Sequence, residues 1–167
     1  TTPALLGGIV TSVFDGTTVH YVRQEVDGHL EFVAIIPDYE FSTAVARQCL
    51  PKTVSFQDAV HNLSRAALFS SSLLTGKYEN LRVAVDDVLH QPYRVLHMPD
   101  VSDVMGYCDL AGSYATYISG AGPTIISIVD RSNHNFVINV RQYLSQHKLQ
   151  WDVRSLTIDN DGTKVLI

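Results

Sequence analysis

The chain has 167 residues, 46% of them hydrophobic and 17% charged, with a net charge of −5. That composition suits one globular domain with a real core and is too short for two. It excludes a disordered segment, and it argues against non-specific nucleic-acid binding, which depends on excess Lys and Arg. A phosphorylated ligand is still allowed, because a few local cations and backbone amides suffice to hold one.

The chain opens Thr1-Thr2-Pro3 without an initiator Met and enters Ala4-Leu5-Leu6-Gly7-Gly8 at once, which reads as a cut end. Ile9 to Val13 and Thr17 to Arg23 read as strands around an Asp15-Gly16 turn. After a second turn at Asp27-Gly28, the run Leu30 to Ile36 becomes continuously apolar and stops at Pro37, as a strand buried on both faces does. A three-strand meander is the expected opening. Ser42 is placed to cap a short helix through Gln48, and Ser55 with Asp58 has the form of a capping box. Behind it Phe56, Ala59, Val60, Leu63, Ala66, Ala67 and Leu74 follow helical spacing to a stop at Gly76, and form a candidate core face. Leu81, Val85 and Val88 mark a further helix. Val101, Val104, Met105 and Cys108 mark another, ended by Gly112.

Tyr114 to Ser119 and Thr124 to Val129 read as strands joined by a tight Gly120-Ala121-Gly122-Pro123 loop. Ser132 is placed to cap a helix carrying Phe136, Val137, Val140 and Leu144. Two closing strands, Trp151 to Ile158 and Lys164 to Ile167, flank an Asn160-Asp161-Gly162 turn. The element order implies an α+β sandwich with helices on one sheet face.

Few residues carry recognisable chemistry. Two glycines one residue apart, at Gly120 and Gly122, free the backbone to approach a ligand, and successive amides in such a turn form an anion-binding concavity. The same pattern also fits a plain hairpin turn, and it is neither a P-loop nor a dinucleotide fingerprint. Thr43 and Arg47 fall on one helix face, a hydroxyl beside a guanidinium, which suits a carboxylate as well as a solvated helix end. Arg94, in His90-Gln91-Pro92-Tyr93-Arg94, sits where the chain must turn. The seven histidines show no zinc-ligand spacing. The adjacent Asp86 and Asp87 point about 100° apart on a helix, so they read as a solvated helix end and not as a magnesium site. Cys49 and Cys108 lack metal spacing and read as reduced, buried thiols of a cytoplasmic protein. No run approaches the ~18 apolar residues of a membrane span, and no signal peptide is visible.

Taken together, the segments resemble the homoserine kinase family, in the superfamily that also holds galactokinase, mevalonate kinase and phosphomevalonate kinase. Thr2 to Gly8 resembles the stretch after the family's Asp-Asn pair. Ala34-Ile35-Ile36-Pro37, then Ser42-Thr43-Ala44-Val45-Ala46-Arg47 and Leu50-Pro51-Lys52, resembles its homoserine-binding stretch. His90 to Arg94 resembles its His-x-Pro-Tyr-Arg segment, and Ser119 to Thr124 the superfamily's third motif. The resemblance implies a ferredoxin-like α/β plait with additional amino-terminal strands. Residues 1–25 would complete an amino-terminal domain, and 26–167 would form the carboxyl-terminal domain. It implies that Thr43, Arg47 and Arg94 contact L-homoserine, and that Ser119, Gly120, Ala121 and Gly122 lie near the transferred phosphate. It also implies phosphorylation of the homoserine side-chain hydroxyl by ATP, in threonine biosynthesis.

The family's Pro-x-x-x-Gly-Leu-Gly-Ser-Ser loop is absent from the 167 residues, as are its acidic magnesium ligand and Asp-Asn pair. ATP and Mg would then be bound mainly by an amino-terminal half, and the chain alone is expected to be inactive, with no catalytic residue and no metal ligand of its own. The expected partners are L-homoserine and that amino-terminal half, with neither nucleic acid nor membrane, and with room for a homodimer. Two alternatives stay open: a stand-alone ferredoxin-like amino-acid-binding or regulatory module, and another small-molecule kinase of the same superfamily.

Overall fold

The computed structural model describes residues 5–164. The expected strand Lys164 to Ile167 falls almost wholly outside the described residues, as do Thr1 to Ala4. Among the described residues the strands are β1 (Ile9–Phe14), β2 (Val19–Gln24), β3 (Leu30–Ile36), β4 (Ala115–Ile118), β5 (Ile125–Asp130) and β6 (Asp152–Leu156). The helices are α1 (Thr43–Gln48), α2 (Phe56–Thr75), α3 (Leu81–Ala84, after a short 3-10 turn at Tyr78–Asn80), α4 (Gln91–Val95), α5 (Val101–Leu110) and α6 (Phe136–Gln146).

Strands β4-β5-β3-β6 form one sheet in that spatial order, and every pairing is antiparallel. Numbered within the sheet by chain order, the arrangement is 4-1-3-2, the ferredoxin-like plait. The central strand β3 explains it. Its residues are apolar on both faces, so both faces need cover, and its two edges take β5 (Leu30 opposite Asp130) and β6 (Phe32 opposite Leu156). This corrects the expected meander, because among the described residues β1 and β2 pair only with each other, Ile9 opposite Gln24. Their hairpin is tied down at its base by the Gly8 N–H on the Asp159 carbonyl at 2.8 Å and by Arg23 on the Leu6 carbonyl. Gly7 and Gly162 meet there so closely that a β-carbon on either would strike backbone.

Alternation along the strands sorts the core into two layers. Val33, Ile35, Ile125 and Val129 face the buried Val101, Val104 and Cys108 of α5 and the buried Phe136, Val140 and Leu144 of α6. Leu30, Phe32, Ala115 and Ile128 face the other way, toward Phe69 and Leu73 of α2 and Leu81 of α3. The helices therefore occupy both faces, not one.

The caps follow their local chemistry. Ser42 Oγ accepts from the Val45 N–H at 3.2 Å, Ser55 Oγ accepts from the Asp58 N–H at 3.0 Å, and Gly76 closes α2 in the left-handed region. Ser132 does not cap α6: its N–H and hydroxyl both go to Asp130, and the helix starts after Asn135. Likewise α3 stops at Ala84, because the Val88 N–H is taken by Asn62 in place of a helical carbonyl.

The largest departure lies in α2. Its candidate core stripe points outward: Phe56 is 85% exposed, Leu63 72% and Leu74 71%, and Ser72 is the only buried residue of the helix. Periodicity located the stripe but took the wrong side as the inner one. Phe56→Ala should therefore change the stability of this chain by no more than about 0.5 kcal/mol. Phe136→Ala, at a residue 1% exposed, should cost about 3–5 kcal/mol, both read by denaturant titration.

An isolated two-stranded hairpin is marginal in water. Amides of β1 and β2 should therefore exchange with solvent far faster than those of β3 and β5 in a dilute monomer. Equal protection would mean that the hairpin is held by the core sheet.

Candidate functional site

Three segments converge at one end of the sheet. Beyond Pro37 the chain is pinned by Tyr39, whose ring meets Trp151 edge-on at 6.2 Å and whose hydroxyl donates to the Pro99 carbonyl. This delivers α1, which buries only Ala46 and leaves Thr43 and Arg47 exposed. The second segment is α4, with Pro92 in its first turn and Arg94 in its last. The third is the loop between β4 and β5, closed by Ser119 N–H on the Thr124 carbonyl at 2.8 Å and Gly122 N–H on the Ser119 carbonyl at 3.0 Å. Gly122 has a φ of +89°, and a β-carbon there would run into Met98 and Ile118, so only glycine fits.

Arg94 joins the three. Its Nε donates to the Ala46 carbonyl at 3.4 Å, and its Nη1 donates to the Gly120 carbonyl and lies 3.3 Å from His90 Nδ1. Among the described residues its Nη2 donates to nothing. Arg94 thus ties the end of α1 to the loop; Arg47 follows Ala46 directly in the chain, and Thr43 lies one turn back on the same helix. Because Nε and Nη1 are engaged, Arg94 offers an incoming carboxylate Nη2 and not a full fork, which leaves a second cation the other half of the grip. Among the described residues the Gly120 and Ala121 N–H groups have no protein acceptor, so they remain available to solvent or a ligand.

Sequence reading missed the support beneath α4. Asp86, with its side chain 56% exposed just past α3, fits a solvated helix end, but Asp87 does not. Asp86 pairs with His61 and Arg65. The Asp87 side chain is only 9% exposed and accepts from His90 N–H at 2.8 Å, Gln91 N–H at 2.6 Å and the Asn62 amide. Burial pushes its pKa up, but those three donors outweigh it and hold it below the ordinary value. A usable signal was present: an Asp a few residues before a Pro in the first turn of a short helix is a capping arrangement.

His90 has its pKa lowered by burial first and by Arg94 as well, against the pull of Asp87. As the neutral imidazole, its Nδ1 is free to accept from Arg94.

Comparison with known proteins then identifies the family. Residues 67–145 match the family described as "GHMP kinases C terminal". Residues 67–145 of the chain carry the carboxyl-terminal domain of the GHMP kinases. It is 40% identical over 164 residues to a homoserine kinase of Clostridium beijerinckii, covering 98% of this chain and 55% of that protein. It is 42% identical over 166 residues to one of Caldicellulosiruptor bescii, covering 98% and 54%. The chain thus spans about half the length of the curated relatives it matches. Among solved structures, a homoserine kinase from Cytophaga hutchinsonii superposes with a TM-score of 0.87 at 25% identity, over 99% of this GHMP domain chain and 53% of that one. The mevalonate kinase of L. major shares the fold, with a TM-score of 0.64 at 11% identity over 89% and 48% of the two chains. No helix of the described residues is long and apolar enough to cross a membrane.

The folded state binds a proton at His90 less readily than the unfolded chain does. The stability this confers is present above pH 6.5, the ordinary value, and is lost as pH falls through the lower folded value. Thermal unfolding between pH 7.5 and 5 should show a smaller decline for His90→Gln than for the unsubstituted chain. Parallel curves would mean that His90 is not the titrating group.

Proposed function

We propose that this chain is the substrate-holding half of an ATP-dependent homoserine kinase. Such an enzyme moves the ATP γ-phosphoryl group to the side-chain hydroxyl of L-homoserine: the hydroxyl oxygen forms the new P–O bond, the bond to ADP breaks, and the hydroxyl proton leaves to solvent. What carries the reading is the meeting of Arg94 with both the turn that bears Arg47 and the Gly120 carbonyl. That meeting supports a reading in which cations for an α-carboxylate lie beside a loop whose N–H groups take a phosphate. The relatives are called homoserine kinases, which supports the choice of amino acid.

In this reading Arg47 and Arg94 share the carboxylate, the Thr43 hydroxyl meets a polar group of the same substrate, and the loop Ser119 to Gly122 lies against the transferred phosphate. Such catalysis relies on positioning and charge neutralisation. Magnesium does not fit the adjacent carboxylates, since Asp86 and Asp87 are already committed to His61, Arg65 and the N–H groups of α4. Both the metal and the adenine nucleotide are assigned to protein outside these 167 residues. Residues 1–25, whose β1 and β2 pair only with each other among the described residues, would extend the sheet of that other part.

The test uses the full-length protein that bears this chain, assayed for phosphohomoserine formation from homoserine and ATP. Arg47→Ala and Arg94→Ala should each weaken homoserine binding by about 2–4 kcal/mol and leave ATP binding little changed. Normal homoserine binding by both variants would refute the clamp, and absence of phosphohomoserine from the unsubstituted protein would refute the kinase.

A further inference from the structure

A buried carboxylate with no lysine or arginine on it needs an explanation. Arg65 of α2 is engaged by Asp86, so Asp87 is balanced by N–H donors and by the His90 ring, whose Nε2 lies 3.7 Å from Oδ1. The partners of those donors form a continuous path. Asn62 of α2 donates its amide to Asp87 Oδ1 and accepts the Val88 N–H at 3.0 Å with its own oxygen. Asp87 Oδ2 receives the first two N–H groups of the α4 start, those of His90 and Gln91. Gln91 then donates to the Val85 carbonyl at 3.2 Å and accepts the Ile118 N–H at 2.8 Å. Ile118 is the last residue of β4, immediately before the glycine loop, and one turn further along α4 Arg94 reaches the Gly120 carbonyl. The path therefore grips the chain on both sides of Ser119.

We propose that Asp87 is a positioning residue for the transfer reaction. Together with Asn62 it sets the height of α4, and through Gln91 and Arg94 it fixes the Ile118 N–H and the Gly120 carbonyl, and with them the loop. This deepens the kinase reading and rests on it for the reaction concerned, although the structural part can be tested without it. The two side chains are isosteric and complementary, with an amide donor facing a carboxylate oxygen. Asp87→Asn alone sets amide against amide, and Asn62→Asp alone sets carboxylate against carboxylate. The exchanged pair, Asn62→Asp with Asp87→Asn, restores every bond named above with the roles reversed.

In the full-length protein each single variant should lower kcat/KM for homoserine roughly tenfold per folded molecule, the scale of one buried hydrogen bond lost. The KM for ATP should be unchanged, and the exchanged pair should recover most of the loss. Amide exchange at Ile118 and Gly120 to Gly122 should accelerate in the single variants and return to normal in the pair, with β3 and β5 unaffected throughout. Single variants that lose only thermal stability, with unchanged kinetics per folded molecule and unchanged loop exchange, would overturn the proposal. So would an exchanged pair no better than the singles. If the unsubstituted protein forms no phosphohomoserine, the kinase reading falls and loop exchange alone decides: acceleration in Asp87→Asn supports positioning, and its absence overturns it.

Discussion

The central strand β3 is the constraint on which everything else depends. It is bonded along both edges, to β5 and β6, and apolar on both faces. A strand of that kind is stable only when two further strands and two layers of side chains surround it, which fixes the order β4-β5-β3-β6 and calls helices to both faces. The turn between β4 and β5 is then held at the end of the sheet near where β3 runs out into Pro37 and α1. The candidate site is built where these two chain directions meet.

Around that point the structure uses backbone atoms more than side chains. Arg94 is oriented by the carbonyls of Ala46 and Gly120, and α4 itself is oriented by its own first N–H groups on Asp87. Backbone acceptors are placed by the fold and not by rotamer choice, so they lose little conformational freedom when they fix a functional group. Neutral His90 completes the arrangement, and its state ties Arg94 to the protonation of a single imidazole.

Much of this was legible in the sequence where the determining interaction is local. The hydroxyls of Ser42 and Ser55 sit three residues from the N–H groups they cap, and Gly76 ends its helix through its own φ. Only a family resemblance singles out Arg47, Arg94 and the glycine loop, since their spacing alone fits a bland reading equally well. What escaped depends on distant partners. The strand partners of β3 lie some 90 or more residues away, and Asp87 takes its amide donor from Asn62, 25 residues back. Near Asp87 only the Pro92 that opens α4 hints at a capping carboxylate, and nothing local shows that it is buried. The outward stripe of α2 shows the same limit: a period of 3.6 reveals that a helix has two sides, but not which of them meets the rest of the chain.

The slightness of α1 has a consequence for how such a domain changes over time. One methyl group, that of Ala46, anchors six residues to the core, while Thr43, Ala44, Val45 and Arg47 face solvent. Replacing exposed residues of that kind alters folding free energy by only a few tenths of a kcal/mol. The stretch that would choose the small molecule is therefore nearly decoupled from the stretch that keeps the protein folded. Under the function proposed above, mutation can then explore new ligands along α1 without passing through unfolded intermediates, while β3 and its neighbours stay as they are.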